Sequence, residues 1–316
     1  MQTLNVNRQK FRMLSFLLVT GEIFVLAFLI LLAVRVIGGK PLGIRSFVEI
    51  QIWKAGALVK SLQYSSEIKS LSQGKYTNII FLHHSVGDNL IRQTDFRDRL
   101  TQAGFSFWDH DYNYYGLNNP DGENLGFHFN VPEDNTDPVG LAKLFSQKVY
   151  PLPINALSGL MQYEVIILKS CFTGNVLPDE QSVEQTKQYY EVMHRFFAEH
   201  PEKLFILLTT PPLNSAEADA AMGARAREIS EWLQSQEYIR NLPNLYVFDL
   251  YSAFAENNLD SPNYNRLRED YKEGVDNHPT MNANQDVAPV LAQFIIDAIN
   301  DFRSKQIGLT SQPYEN

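Results

Sequence analysis

The residues of this chain best suited to nucleophilic chemistry are Ser85, His278 and Asp276. Ser85 closes the stretch Asn78-Ile79-Ile80-Phe81-Leu82-His83-His84-Ser85-Val86-Gly87-Asp88. A short apolar, β-branched run reads as a buried parallel strand, and Leu90, Ile91, Phe96 and Leu100 beyond it are spaced as on an amphipathic helix. A serine between such a strand and helix lies at the carboxyl edge of a sheet, where open α/β folds bind ligands. It supports two readings: a helix N-cap, or a nucleophile whose negative charge the helix N-terminus stabilises. The two are compatible.

A hydroxyl nucleophile needs a base, and histidine is the usual one. Of the seven histidines, His194 and His200 fall in or at the end of a helical pattern, and His110 and His128 in a long polar loop. His83 and His84 follow a strand, so their side chains diverge to opposite faces. His278 stands in Asp276-Asn277-His278-Pro279, a turn before the last helical segment. An acid just ahead of a histidine can hold its tautomer and stabilise its charged form. Cys171 is a rival nucleophile at another strand end, against the plainer reading of a buried thiol. A metal site drawn from His83, His84, Asp88, His110 and His278 is a further alternative, weakened by the divergence of the tandem histidines on a strand.

The elements that must position these residues alternate. Strands are expected at 78–83, 164–169, 204–209 and 245–250, with a weaker one near 105–108. Helices are expected at 90–102, 182–199, 216–236 and 285–302, with Asn214 and Glu217 spaced as a capping box. Alternation of this kind predicts a parallel sheet with helices on both faces. Residues 109–140 are rich in Asn, Asp, Gly, Pro and Tyr, and so long a loop in a compact domain usually carries function.

The 316 residues are 44% hydrophobic and 20% charged, which suits one large domain with extensions. A formal net charge of −9 argues against a nucleic-acid-binding surface. A single cysteine excludes an intrachain disulfide and a thiolate zinc site.

The expected organisation is a basic segment at 1–12, a transmembrane anchor at 13–37, a juxtamembrane stalk or helix at 38–75, the α/β domain at 76–306 and a polar tail at 307–316. Met13 to Val34 runs 22 residues without Lys or Arg and holds 15 of Leu, Ile, Phe or Val. As a helix it is about 33 Å long, enough to cross a bilayer. Its apolar residues contribute roughly −7 kcal/mol, against ~3 kcal/mol for an ionised Glu22. The apolar contribution outweighs the acid, so the chain is expected to be a single-pass membrane protein with its folded domain outside the cytoplasm.

Four stretches give the chain a family resemblance. They are Phe81-Leu82-His83-His84-Ser85-Val86-Gly87; Val165-Ile166-Ile167-Leu168-Lys169-Ser170-Cys171-Phe172; Lys203 to Leu213 with Ala224-Arg225-Ala226-Arg227-Glu228 and Trp232-Leu233; and Asp276-Asn277-His278-Pro279. In order and spacing, over about residues 76–300, they resemble the SGNH (GDSL-type) hydrolases, in the divergent branch that opens with His-His-Ser-x-Gly. The resemblance implies a flavodoxin-like three-layer α/β/α domain that cleaves esters or moves acyl groups without metal or cofactor, with Ser85 as nucleophile, His278 as base and Asp276 as its acid. Three departures stand out. His84 replaces the usual aspartate before the serine. The acid lies two residues before His278, where Val275 stands three before it. No Gly-x-Asn-Asp block follows the third conserved strand, which leaves Asn175, Ser170 and Gly174 as candidate oxyanion donors beside the Ser85 N–H, with His84 counted among the substrate-facing residues. The implied substrate is a small-molecule ester or an O-acylated surface polysaccharide. The alternative is a catalytically degenerate domain that binds or scaffolds glycans.

Overall fold

The computed structural model of this chain describes residues 59–310, apart from Ser61 and Asn241. The expected anchor at 13–37 and most of the expected stalk lie outside the described residues. Among the described residues, no helix is long and apolar enough to cross a membrane.

Six strands form one sheet: β1 (Asn78–Leu82), β2 (Ser106–His110), β3 (Leu117–Asn118), β4 (Val165–Lys169), β5 (Leu204–Leu208) and β6 (Leu245–Phe248). Their order is β3-β2-β1-β4-β5-β6. Only the short β3 runs antiparallel, against β2. The five parallel strands therefore follow a 2-1-3-4-5 order, consistent with the flavodoxin-like doubly wound sheet. Every residue of β1, β4 and β5 is buried, as continuous apolar runs require when helices cover both faces.

The principal helices are α1 (Ser85–Arg92), α2 (Phe96–Gln102), α3 (Pro138–Phe145), α4 (Glu180–Glu199), α5 (Ala220–Gln234) and α6 (Met281–Thr310). Alternate strand residues face two separate cores. Ile80, Leu82, Ile166, Leu168, Phe205 and Leu207 pack with α3, α4 and α5. Ile79, Phe81, Val165, Ile167, Leu204 and Ile206 pack with α1, α2 and α6. The end of the segment expected as a stalk is a helix over residues 62–71, and its Ile68 is buried in the first of these cores.

Three local expectations are corrected. The helix expected at 90–102 is two helices, because the Thr94 hydroxyl donates to the Leu90 carbonyl and accepts the Phe96 N–H, diverting the backbone ladder. The strand expected to reach Leu250 ends at Phe248, and Asp249 caps a short helix at Leu250–Phe254 instead. Asn214 and Glu217 form no capping box: Asp219 is the cap of α5, accepting the Met222 N–H.

Candidate active site

The chain turns away from β1 to opposite sides to form β2 and β4, so the crevice between the carboxyl ends of β1 and β4 is the switch point where ligands of such sheets bind. Ser85 emerges there as the first residue of α1, half-buried. Its N–H has no intrahelical acceptor, because the first four amides of a helix never do. The following Gly87 has a steric cause. A Cβ at that position would lie 2.4 Å from the His83 Cβ, so only glycine lets α1 close against the strand end.

His278 arrives from the other end of the chain, on the turn that leads into α6. Its Nε2 is 2.8 Å from the Ser85 Oγ and its Nδ1 is 2.7 Å from the Asp276 Oδ1. The same aspartate oxygen accepts the His278 backbone N–H at 3.0 Å. This is an Asx turn, in which an aspartate bonds the backbone two residues on. It explains how an acid at that spacing reaches the ring. The His278 N–H holds the Asp276 carboxyl below its usual range, with the imidazole adding to the effect. With Nδ1–H donated to Asp276, Nε2 is the acceptor for the Ser85 hydroxyl. Phe172, just past β4, packs edge-on against the imidazole at 5.2 Å. The Asp276 side chain is 60% exposed, so water shares in stabilising this pair.

The residues read from sequence as a capping box hold this turn. Asn214 Nδ2 donates to the carbonyls of Gly274 and Asp276, and the Asn214 N–H donates to Asn277 Oδ1. Asn277 Nδ2 in turn donates to Glu217. The loop after β5 thereby fixes the histidine turn.

The oxyanion donors read from sequence, Asn175, Ser170 and Gly174, are engaged with other partners. Asn175 is buried, and its amide donates to the carbonyls of Thr210 and Pro211, which uses both of its protons. The Gly174 N–H bonds the Cys171 carbonyl in a tight 3-10 turn. The Ser170 hydroxyl is fully buried against the Cys171 carbonyl. Cys171 itself is buried.

His83 and His84 frame the serine. His83 is buried, with Nε2 3.1 Å from Asp109 and Nδ1 3.1 Å from the His84 carbonyl. Asp109 is also held by Arg97 and Asn118. His84 is held neutral: burial, reinforced by the nearby Lys169 ammonium, lowers its pKa to about 3. Its Nε2 lies 3.7 Å from Asp134. Tyr112 stacks on the His84 ring at 3.7 Å between centroids. From sequence this tyrosine stands out only as one of the aromatic residues in and before the long loop, with Phe105, Phe107, Trp108, Tyr114 and Tyr115. Among the described residues, no group of three or more His, Cys, Asp or Glu is arranged to hold a metal ion.

No protein-family model matches this sequence, and neither does any curated protein. Solved structures with some similarity include a provisionally named platelet activating factor from Streptococcus pneumonia. It is 12% identical, and the match covers 78% of this chain and 98% of that one at a TM-score of 0.42. Another is a provisionally named acylhydrolase from Bacteroides fragilis, 13% identical over 76% of this chain and 96% of that one, at a TM-score of 0.40. Likeness at this level does not decide the chemistry, which rests on the site itself.

Proposed function

We propose that this chain is a serine hydrolase of the SGNH type that cleaves carboxylic esters, or transfers their acyl groups, through an acyl-enzyme. One observation carries the reading: His278 bridges Ser85 and Asp276 with both ring nitrogens in hydrogen-bonding distance. In this mechanism the Ser85 Oγ bonds the ester carbonyl carbon while His278 Nε2 takes the hydroxyl proton. The carbonyl π electrons move to oxygen, where the Ser85 N–H and the N-terminus of α1 meet the negative charge. Collapse expels the alkoxide, which leaves as alcohol with the proton from His278. Water, or an acceptor alcohol, then releases the acyl group by the same steps. Asp276 stabilises the transient imidazolium.

The apolar segment at 13–34 would tether this domain to a membrane, and O-acylated surface polysaccharide is the substrate class that such a tether suggests. Deacetylation assays on acetylated polysaccharide, with acyl-lipid micelles as comparison, test that choice; turnover of the lipid alone would reverse it.

The test of the chemistry is labelling by a fluorophosphonate probe. Wild type should be labelled, and both S85A and H278A should lose labelling while remaining folded. The committed amides of Asn175 and Gly174 favour a second reading, a catalytically silent glycan-binding domain. An unlabelled wild type that binds acylated glycan would establish that reading instead.

A further inference from the structure

His83, two residues before the nucleophile, has no part in the mechanism above. Its side chain is fully buried, and both ring nitrogens face oxygen atoms. Nδ1 lies 3.1 Å from the His84 carbonyl, which has no proton to give. Nε2 lies 3.1 Å from Asp109 Oδ2. The other partners of Asp109 are donors too: Arg97 Nη2 at Oδ1 and Asn118 Nδ2 at Oδ2. Burial opposes ionisation of this carboxyl, but the His83 hydrogen bond and the Arg97 guanidinium outweigh it and hold the group below its usual range. With an acceptor at each nitrogen, the ring must donate from both, and only the imidazolium carries two N–H groups. Its charge is buried but paired, through Asp109 to Arg97, as a buried charge requires. Gly87 makes room for the ring, since a Cβ there would lie 3.0 Å from Nδ1.

The His84 carbonyl is one end of the peptide group whose other end is the Ser85 N–H. Besides His83 Nδ1 it accepts the N–H groups of Gly87 at 2.8 Å and Asp88 at 3.0 Å, so three donors converge on it. Chains of hydrogen bonds polarise one another, by about 10–30% per bond. A proton held against the carbonyl by a positive ring draws electron density from the amide nitrogen. The N–H at the opposite end becomes a stronger donor. We propose that His83, as a buried imidazolium, is a positioning residue that fixes and polarises the His84–Ser85 peptide for oxyanion binding. This rests on the serine-hydrolase reading above. His83 acts through that peptide without touching substrate. It strengthens the Ser85 amide in a site where the side-chain donors read from sequence are engaged elsewhere.

The test compares H83N and H83Q with wild type, using p-nitrophenyl acetate as substrate and a trifluoromethyl ketone as tetrahedral analogue. An asparagine amide nitrogen takes the place of Nδ1 and keeps the donor to the His84 carbonyl. A glutamine amide nitrogen takes the place of Nε2 and abandons it. H83Q should lower kcat about tenfold with KM little changed, short of the roughly 10²- to 10³-fold that follows outright loss of an oxyanion donor. The ketone's inhibition constant should rise in parallel, and H83N should recover most of both. Undiminished kcat in H83Q, a fall in kcat without weaker ketone binding, or equal losses in the two variants would overturn the proposal. Should a variant not fold, the wild type itself decides. In spectra of protein carrying nitrogen-15 histidine at about pH 8, the His83 ring is recognised by its contact with Phe81 and should show two protonated nitrogens. One unprotonated nitrogen would equally overturn the proposal. A wild type that fluorophosphonate does not label sinks the serine-hydrolase reading and the role of His83 with it. A labelled wild type with a fully active H83Q removes the role of His83 alone.

Discussion

The imidazole of His278 lies 2.8 Å from the hydroxyl of Ser85, although 193 residues of chain separate them. Neither residue reaches the other by local structure. Ser85 is presented by the β1–α1 turn and His278 by the turn before α6, and α6 packs on the sheet face that α1 also covers. The pair is thus held by the same core that holds the sheet, and changes to the turns should be read as changes to this distance.

Asp276 should matter less than the acid of a fully buried triad. Its side chain is 60% exposed, so solvent already shares the stabilisation of the imidazolium. D276N should lower kcat by tens of fold, rather than the ~10⁴-fold seen where the acid is buried. Steady-state kinetics on an activated ester decide this. A loss as large as the buried case would mean that water does not reach the pair.

Asn214 acts on His278 without touching it. N214A leaves the carbonyls of Gly274 and Asp276 without their amide donor, an effect of about 1–3 kcal/mol on stability. As a positioning residue it should lower kcat by roughly tenfold while leaving KM close to wild type, since the His278 turn loosens but the substrate contacts stay. Urea unfolding measures the first effect and a KM-against-kcat comparison the second. Unchanged labelling and kcat would show that the turn holds itself.

Gly87 should tolerate no side chain. G87A places a methyl 2.4 Å from the His83 Cβ, so α1 must move outward. Overpacking of this kind costs about 1–3 kcal/mol. Because Ser85 is on the same helix, the fluorophosphonate labelling rate should fall together with the melting temperature. A stable variant with wild-type labelling would show that His83 moves instead.

Acid should unfold the domain earlier than its carboxylates alone would dictate. Burial lowers both His84 and His110 to a pKa of about 3. His110 Nε2 accepts the Phe129 N–H, which only the neutral ring can do. Since the folded pKa lies below the unfolded value of 6.5, the unfolded state binds more protons between them. The associated stability is present above pH 6.5 and is lost as pH falls toward 3. At pH 5 the loss is about 2 kcal/mol for each histidine. Buried Asp111 and half-buried Asp137, both raised by desolvation, act in the opposite sense. Urea midpoints at pH 7 and pH 5 measure the slope, and H110Q, which keeps an acceptor for Phe129, should flatten it. An equal slope in H110Q would mean that His110 does not stay neutral.

Much of the fold is legible in sequence because its signals are short-range. Residues 78–82, 165–169 and 204–208 are apolar runs that only a doubly covered parallel strand accommodates, and the expected strands lie within one or two residues of the observed ones. The misreadings share one cause. Thr94, Asp249 and Asn214 are small polar residues whose side chains can bond several backbone groups, and the winning partner depends on neighbours that a window of sequence does not contain.

The alternation of elements, the serine after the first strand and the acid two residues before His278 are legible in the chain alone, because each is encoded within a few consecutive residues. Strand order and helix packing decide that His278 meets Ser85, that Asn175 spends its amide on Thr210 and Pro211, that Asn214 clamps the histidine turn, and that Tyr112 stacks on His84. Those are contacts between segments brought side by side by strand order and helix packing. A hydrogen-bonding group carries no mark in sequence of which distant partner it will find.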